Sequence, residues 1–183
     1  VAEFQKLLEE GMELALPMLG SAGLEENVEL FQQLITTMSL MLPFMLILSS
    51  AQFALLNHWL TRKVAVRLGM ELPAFPPLHT WRLPTSIIWY YLIVLVLFML
   101  IPLEKGGMLE LILLNAYPLL QLLLVIQGFS FLAFLGQRKG WPKQWIVPVV
   151  IISLLFPILF QLEVLVGIAD LGFPIRAYFA NRG

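Results

Sequence analysis

Between Leu111 and Leu135 the chain runs without a single Asp, Glu, Lys or Arg. A stretch of that length exceeds the roughly 20 apolar residues that cross a bilayer core. In lipid a backbone has to satisfy its own polar groups, and a helix does so within one segment. Similar apolar runs cover about residues 35–60, 85–103 and 145–162. The fold class expected is therefore an all-α integral membrane protein with about four transmembrane helices, preceded by an amphipathic helical region. Composition agrees, since 60% of residues are hydrophobic and only 13% charged, far from the balance of a soluble domain.

Residues 1–34 read as an acidic amphipathic helical region outside the membrane, and residues 35–183 as the membrane domain. Phe4, Leu7, Leu8 and Met12 recur at roughly helical spacing among Glu3, Lys6, Glu9, Glu10 and Glu13, with Pro17 and Gly20 as stops. A second helix is expected from Ser21–Leu24, with Glu25 and Glu26 in the turn where the helix dipole favours acids. The chain opens on Val1 without the features of a signal peptide, so a longer protein is expected to precede it. Pro43 should kink the first span, and Gly69 suits the cap after Arg67.

The connection at residues 61–84 is rich in proline. Pro73, Pro76, Pro77 and Pro84 forbid a continuous helix, while Trp81 and Arg82 suit the headgroup level of a membrane. Two uses remain open: a rigid elbow between spans, or a surface where Pro76, Pro77, Trp81 and Arg82 dock a partner.

Lysine and arginine accumulate in cytoplasmic loops. Arg62, Lys63, Arg67 and Arg82 mark one connection, and Arg138, Lys139 and Lys143 another, so both are expected in the cytoplasm. The first 34 residues hold Lys6 against seven glutamates and are expected outside. Four crossings then put the C-terminus outside, a placement that Arg176 and Arg182 oppose. The conflict vanishes if the last apolar stretch turns back within the membrane.

Polar residues inside spans carry the candidate chemistry. Asn115, Gln121 and Gln127 must face protein or a wet cavity, yet they fall about 120° apart around a helix and form no single stripe. Interhelical hydrogen bonds are one use. A solute path is the other, and it requires Pro118 to break the helix. Glu163, Gly167 and Asp170 share one helical face; the two carboxyls either form a proton or cation site or sit at the membrane interface. Asp170 and Arg176 can pair only if Pro174 bends the chain. The candidate substrate-binding residues are thus Asn115, Gln121, Gln127, Glu163 and Asp170.

Net charge is −1 and no long basic run occurs, which argues against nucleic acid as a partner. The absence of cysteine removes disulfides and thiolate sites. His58 and His79 stand alone, so neither metal nor another cofactor is expected. No hydrolase, nucleotide-binding or metalloprotease motif appears, and no enzyme is expected.

Leu72-Pro-Ala-Phe-Pro-Pro-Leu-His-Thr-Trp-Arg-Leu-Pro84, Asn115, Ile126-Gln-Gly-Phe129 and Gly167-Ile-Ala-Asp170 with Arg176 resemble, in order and spacing, the C-terminal half of the YybS-like family of uncharacterised bacterial membrane proteins. The likeness covers about residues 40–179. Gly172 and Pro174 interrupt a tail that looks more basic in the family. The family itself looks distantly similar to the substrate-binding membrane subunits of energy-coupling-factor transporters, a likeness at fold level. It implies a multi-pass protein of the bacterial inner membrane, associated with small-solute transport. The expected partners are the lipid bilayer, a small solute, and a membrane protein or second copy of the chain; the competing expectation is a scaffold that binds another membrane subunit through its helices.

Overall fold

The computed structural model describes residues 6–7, 10–11, 24–102 and 107–180. The expected amphipathic helix at residues 3–16 lies largely outside them. Among the described residues the regular structure is helical throughout: α1 (Leu24–Leu40), α2 (Leu42–Arg67), α3 (Ser86–Leu100), α4 (Met108–Arg138), α5 (Ile146–Leu155), α6 (Pro157–Gly172) and α7 (Ile175–Ala180). Of these, α4 is long and apolar enough to cross a membrane alone. Gln32–Leu40 and Leu42–Arg67 pass that test together, bent by 58° at Met41, and α3 and α5 are shorter apolar helices.

Two compact units share these helices, one of residues 1–58 and 101–116 and the other of residues 59–100 and 117–183. The first contains the bend. Pro43 has no N–H to give to Ser39, so the ladder fails two residues after Met41. The Asn115 side chain repairs the gap beside it: its Oδ1 accepts from the Phe44 N–H at 2.7 Å, and its Nδ2 donates to the Leu40 carbonyl at 2.7 Å. These two groups would bond each other in a regular helix. The Asn115 amide is spliced between them, and Ser39 donates back to the Ile35 carbonyl, a bond that favours bending.

In the second unit, α2 and α4 end alike. Met70 N–H reaches the Ala65 carbonyl and Gly69 N–H the Val66 carbonyl; Trp141 and Gly140 repeat the pattern on Gly136 and Gln137. Both glycines have left-handed backbone, with φ of +77° and +70°. These are paired 6→1 and 5→2 caps, which glycine adopts without a Cβ penalty.

The core of this unit joins Ile87, Ile88 and Tyr91 of α3 to Leu124, Val125 and Phe129 of α4 and to Val164 and Leu171 of α6. Lipid is as apolar as leucine, so close packing rather than the hydrophobic effect holds such helices together. Small residues supply it. A Cβ on Gly167 would strike the Leu124 carbonyl oxygen, and one on Gly128 would strike that of Glu163, so α4 and α6 touch backbone to backbone.

The last apolar stretch departs from expectation. Pro148 interrupts nothing, because it lies in the first turn of α5, where the missing N–H is unused anyway. The break falls at Phe156, which is extended (φ −114°, ψ 108°), and Pro157 opens α6, a position for which its fixed φ is suited. At about 1.5 Å per residue, α5 rises only ~15 Å. It leaves from the end of α4 where the Trp145 indole packs on Gly136, and α6 comes back to that end: Arg176 bonds the His79 carbonyl and Arg138 the Phe179 carbonyl. The stretch expected as one span is thus two helices, α5 and α6, broken at Phe156.

Candidate functional site

Where α6 ends, Phe173 is extended and Pro174 turns the chain. This carries Arg176 back over Asp170. The guanidinium donates from Nε to both carboxylate oxygens at 2.8 and 3.1 Å and from Nη2 to Oδ2 at 2.6 Å. Its remaining donors reach the His79 carbonyl at 2.9 Å and the Ser130 hydroxyl at 3.0 Å, and its plane lies 5.4 Å from the Phe134 ring centre. Asp170 is 1% exposed. A carboxylate so deeply placed requires pairing and hydrogen bonds to its other lone pairs, and Gln127 supplies one from Nε2 at 2.5 Å.

The same network fastens the proline-rich connection. Gln127 Oε1 accepts from the Leu83 N–H at 2.9 Å, and the Ser130 hydroxyl donates to the Trp81 carbonyl at 2.6 Å. With the His79 carbonyl on Arg176, three backbone groups of residues 79–83 are satisfied by side chains of α4 and α7. Trp81 closes a ring within the segment, its indole N–H donating to the Pro76 carbonyl at 2.9 Å. The Trp81 side chain is therefore half-buried, whereas Pro76, Pro77 and Arg82 face outward. We call this network the latch.

The other predicted site residues separate. Asn115 is the splice at the α1–α2 bend, and its amide also donates to the Leu111 carbonyl at 2.6 Å. Pro118 does not break α4, which is helical from Met108 to Arg138, so the broken helix needed to re-aim Asn115 is absent. Gln121 donates to Gln161 at 3.0 Å on an exposed face. Gln161 in turn lies within hydrogen-bonding reach of the Tyr91 hydroxyl, as does Tyr117, whose ring stacks on Tyr91 at 5.8 Å. This forms an amide and phenol belt across α3, α4 and α6.

Glu163 is 7% exposed, and among the described residues its Oε2 has no hydrogen-bond partner. Gly128 packs against it, and Ser153 of α5 is its polar neighbour. Glu163, Gly167 and Asp170 do share the buried face of α6, yet the two carboxyls have different surroundings. Among the described residues no cluster of potential metal ligands occurs. Sequence reasoning missed Ser130, Gln161, Tyr91 and Tyr117, because a serine or tyrosine in an apolar run carries no spacing signal of its own.

The site is thus an ion pair closed among apolar helices that meet by backbone contact at glycines. The chain belongs to the family described as "Predicted membrane protein (DUF2232)", whose model matches residues 1–171. It is 31% identical over 158 residues to "Uncharacterized protein YybS" of Bacillus subtilis (strain 168), an alignment covering 86% of this chain and 51% of that protein. The chain thus spans about half the length of this relative. No solved structure matches.

The segments that carried the YybS-like resemblance are far apart in sequence and adjacent here. Trp81–Leu83, Gln127, Asp170 and Arg176 are one hydrogen-bonded unit.

Proposed function

We propose that this chain is a multi-pass subunit of the bacterial inner membrane associated with small-solute transport. The bent α1–α2 pair, α3 and α4 are its crossings, and α5–α6 is a re-entrant pair. Arg62, Lys63, Arg67 and Arg82 lie in or next to the connection that Arg176 fastens, and Arg138 bonds the Phe179 carbonyl of α7, so on this reading the positive-inside rule assigns the latch and the C-terminal tail to the cytoplasm. Arg176 and Arg182 then accord with the rule that they opposed under four crossings.

The observation that carries the transport reading is the Gln121–Gln161 pair. Gln121 lies about 3 Å from the midpoint of α4 along its axis, the pair is open to the surface, and the re-entrant turn at Phe156 is close by in α6. Lipid offers such amides nothing, whereas re-entrant helices that meet polar groups at mid-depth line solute sites in transporters. Glu163, buried with an unpartnered oxygen on the same helix, adds a second polar group at that level. The likeness to energy-coupling-factor subunits points the same way by analogy.

The scaffold reading has its own support: the latch fixes the connection so that Pro76, Pro77 and Arg82 are presented outward on a rigid base. Native mass spectrometry of the purified protein separates the two. Transport association predicts a retained small molecule that is lost in Gln121→Ala and Gln161→Ala; a stoichiometric protein partner, insensitive to these changes but lost in Pro77→Ala or Arg82→Ala, would establish the scaffold instead.

A further inference from the structure

Beside the latch, a cavity of about 350 Å³ opens between the proline-rich connection, the end of α4 and the start of α5, lined by Leu78, His79, Gln137, Trp141, Trp145 and Ile146 among others. His79, Gln137 and Gly140 line it, and Lys139 holds its ammonium 5.3 Å from the ring centre of Trp141, another lining residue. Among the described residues no carboxylate pairs with Lys139 or lines this cavity. Trp141 and Trp145 meet edge to face at 4.7 Å and form an aromatic wall of the kind that marks the headgroup level. Beyond Ile146 the surface turns wholly apolar. Val147, Ile151 and Leu154 are exposed, and their i, i+4, i+7 spacing aligns them as one ridge up α5.

We propose that this cavity is a binding site for one anionic phospholipid, with the phosphate beside Lys139, His79 and Gln137 and the acyl chains along the Val147–Leu154 ridge. It rests on the membrane reading above but not on transport. The cation without a local acid selects negative charge, as basic recesses between helices at the cytoplasmic face do. The ridge selects a lipid over a soluble anion, because a free phosphate would leave it uncovered. The cavity holds a headgroup and the first methylenes; the rest of each chain needs the ridge. A second lysine laid over tryptophan, Lys63 at 4.8 Å from the Trp59 ring centre, borders a recess whose lining comes from α2 alone. It has the charge without the opposing wall, and so serves as the control.

The test uses the full chain purified in a neutral detergent, titrated with phosphatidylglycerol or phosphatidylcholine and read by native mass spectrometry. One phosphatidylglycerol should remain bound in preference to phosphatidylcholine. Lys139→Glu should weaken that preference by at least about fivefold, near the worth of one surface cation facing anionic lipid, and Ile151→Asn should weaken both lipids, while Lys63→Glu leaves the preference unchanged. Equal retention of the two lipids would overturn the proposal, as would equal loss in Lys63→Glu and Lys139→Glu. Displacement of the lipid by millimolar inorganic phosphate would overturn it in favour of a simple anion site. In each of these cases the protein's residence in the membrane stands.

Discussion

Asp170 and Glu163 lie seven residues apart on one buried face of α6, and they have opposite fates. Asp170 is held by Arg176 and Gln127, while Glu163 has a serine, a glycine and an oxygen left over. The difference extends outward. Around Asp170 every polar group found is consumed by another, and the product is a fastened connection. On the same helix, toward the turn at Phe156, the Gln161 amide and its Gln121 partner are open to the surface, while the Tyr91 phenol beside them is buried. A closed network makes structure, and an open one is available to a ligand.

The comparison breaks most readily at its closed end. Asp170→Ala leaves a guanidinium without its counter-ion and should cost about 3–5 kcal/mol, measured as a shift in the unfolding midpoint in detergent; a change below about 1 kcal/mol would show that the latch behaves as a surface pair. Gly167→Ala pushes a methyl into the Leu124 carbonyl and should cost about 1–3 kcal/mol, with a matching loss for Gly128→Ala.

Asn115→Ala strands the Leu40 carbonyl and the Phe44 N–H, at about 1–3 kcal/mol. Here a double-mutant cycle sharpens the reading. With Pro43→Ala in place the regular ladder can close, so Asn115→Ala should then cost distinctly less, and additive costs would refute the splice. The smallest effect belongs to the open end. Gln121→Ala should change stability by about 0.6 kcal/mol or less while abolishing retention of a bound solute. If it destabilises as much as Gln127→Ala, the contrast between the two ends is lost.

Local rules carried much of the fold into view. Gly69 and Pro43 act where their backbone constraints say, and Glu163, Gly167 and Asp170 share the face that their spacing requires. Asn115, Gln121 and Gln127 make no single stripe of contacts: Asn115 bonds the bend at Leu40, while Gln121 and Gln127 meet α6 at Gln161 and at Asp170.

What stayed hidden depends on partners distant in sequence. Nothing near Asn115 announces that it mends a helix broken at Pro43, and the carbonyls of His79 and Trp81 have no side chain to signal their part in the latch. The break at Phe156 was hidden for another reason. Pro148 and Pro157 look alike as letters, but one falls in a first turn and the other after the break, and helix register decides which is silent.

The latch also sets an order of assembly. The His79 carbonyl waits on a guanidinium 97 residues further along the chain, an interval of about 5–20 s at the ordinary pace of synthesis. During that time the proline-rich segment has been made but cannot be fastened, and water or the insertion machinery has to satisfy its backbone. The last helix described is therefore the one that completes a joint laid down near the middle of the chain, and chains cut short before Arg176 should be recognisable as unfinished by protease cleavage within residues 72–84.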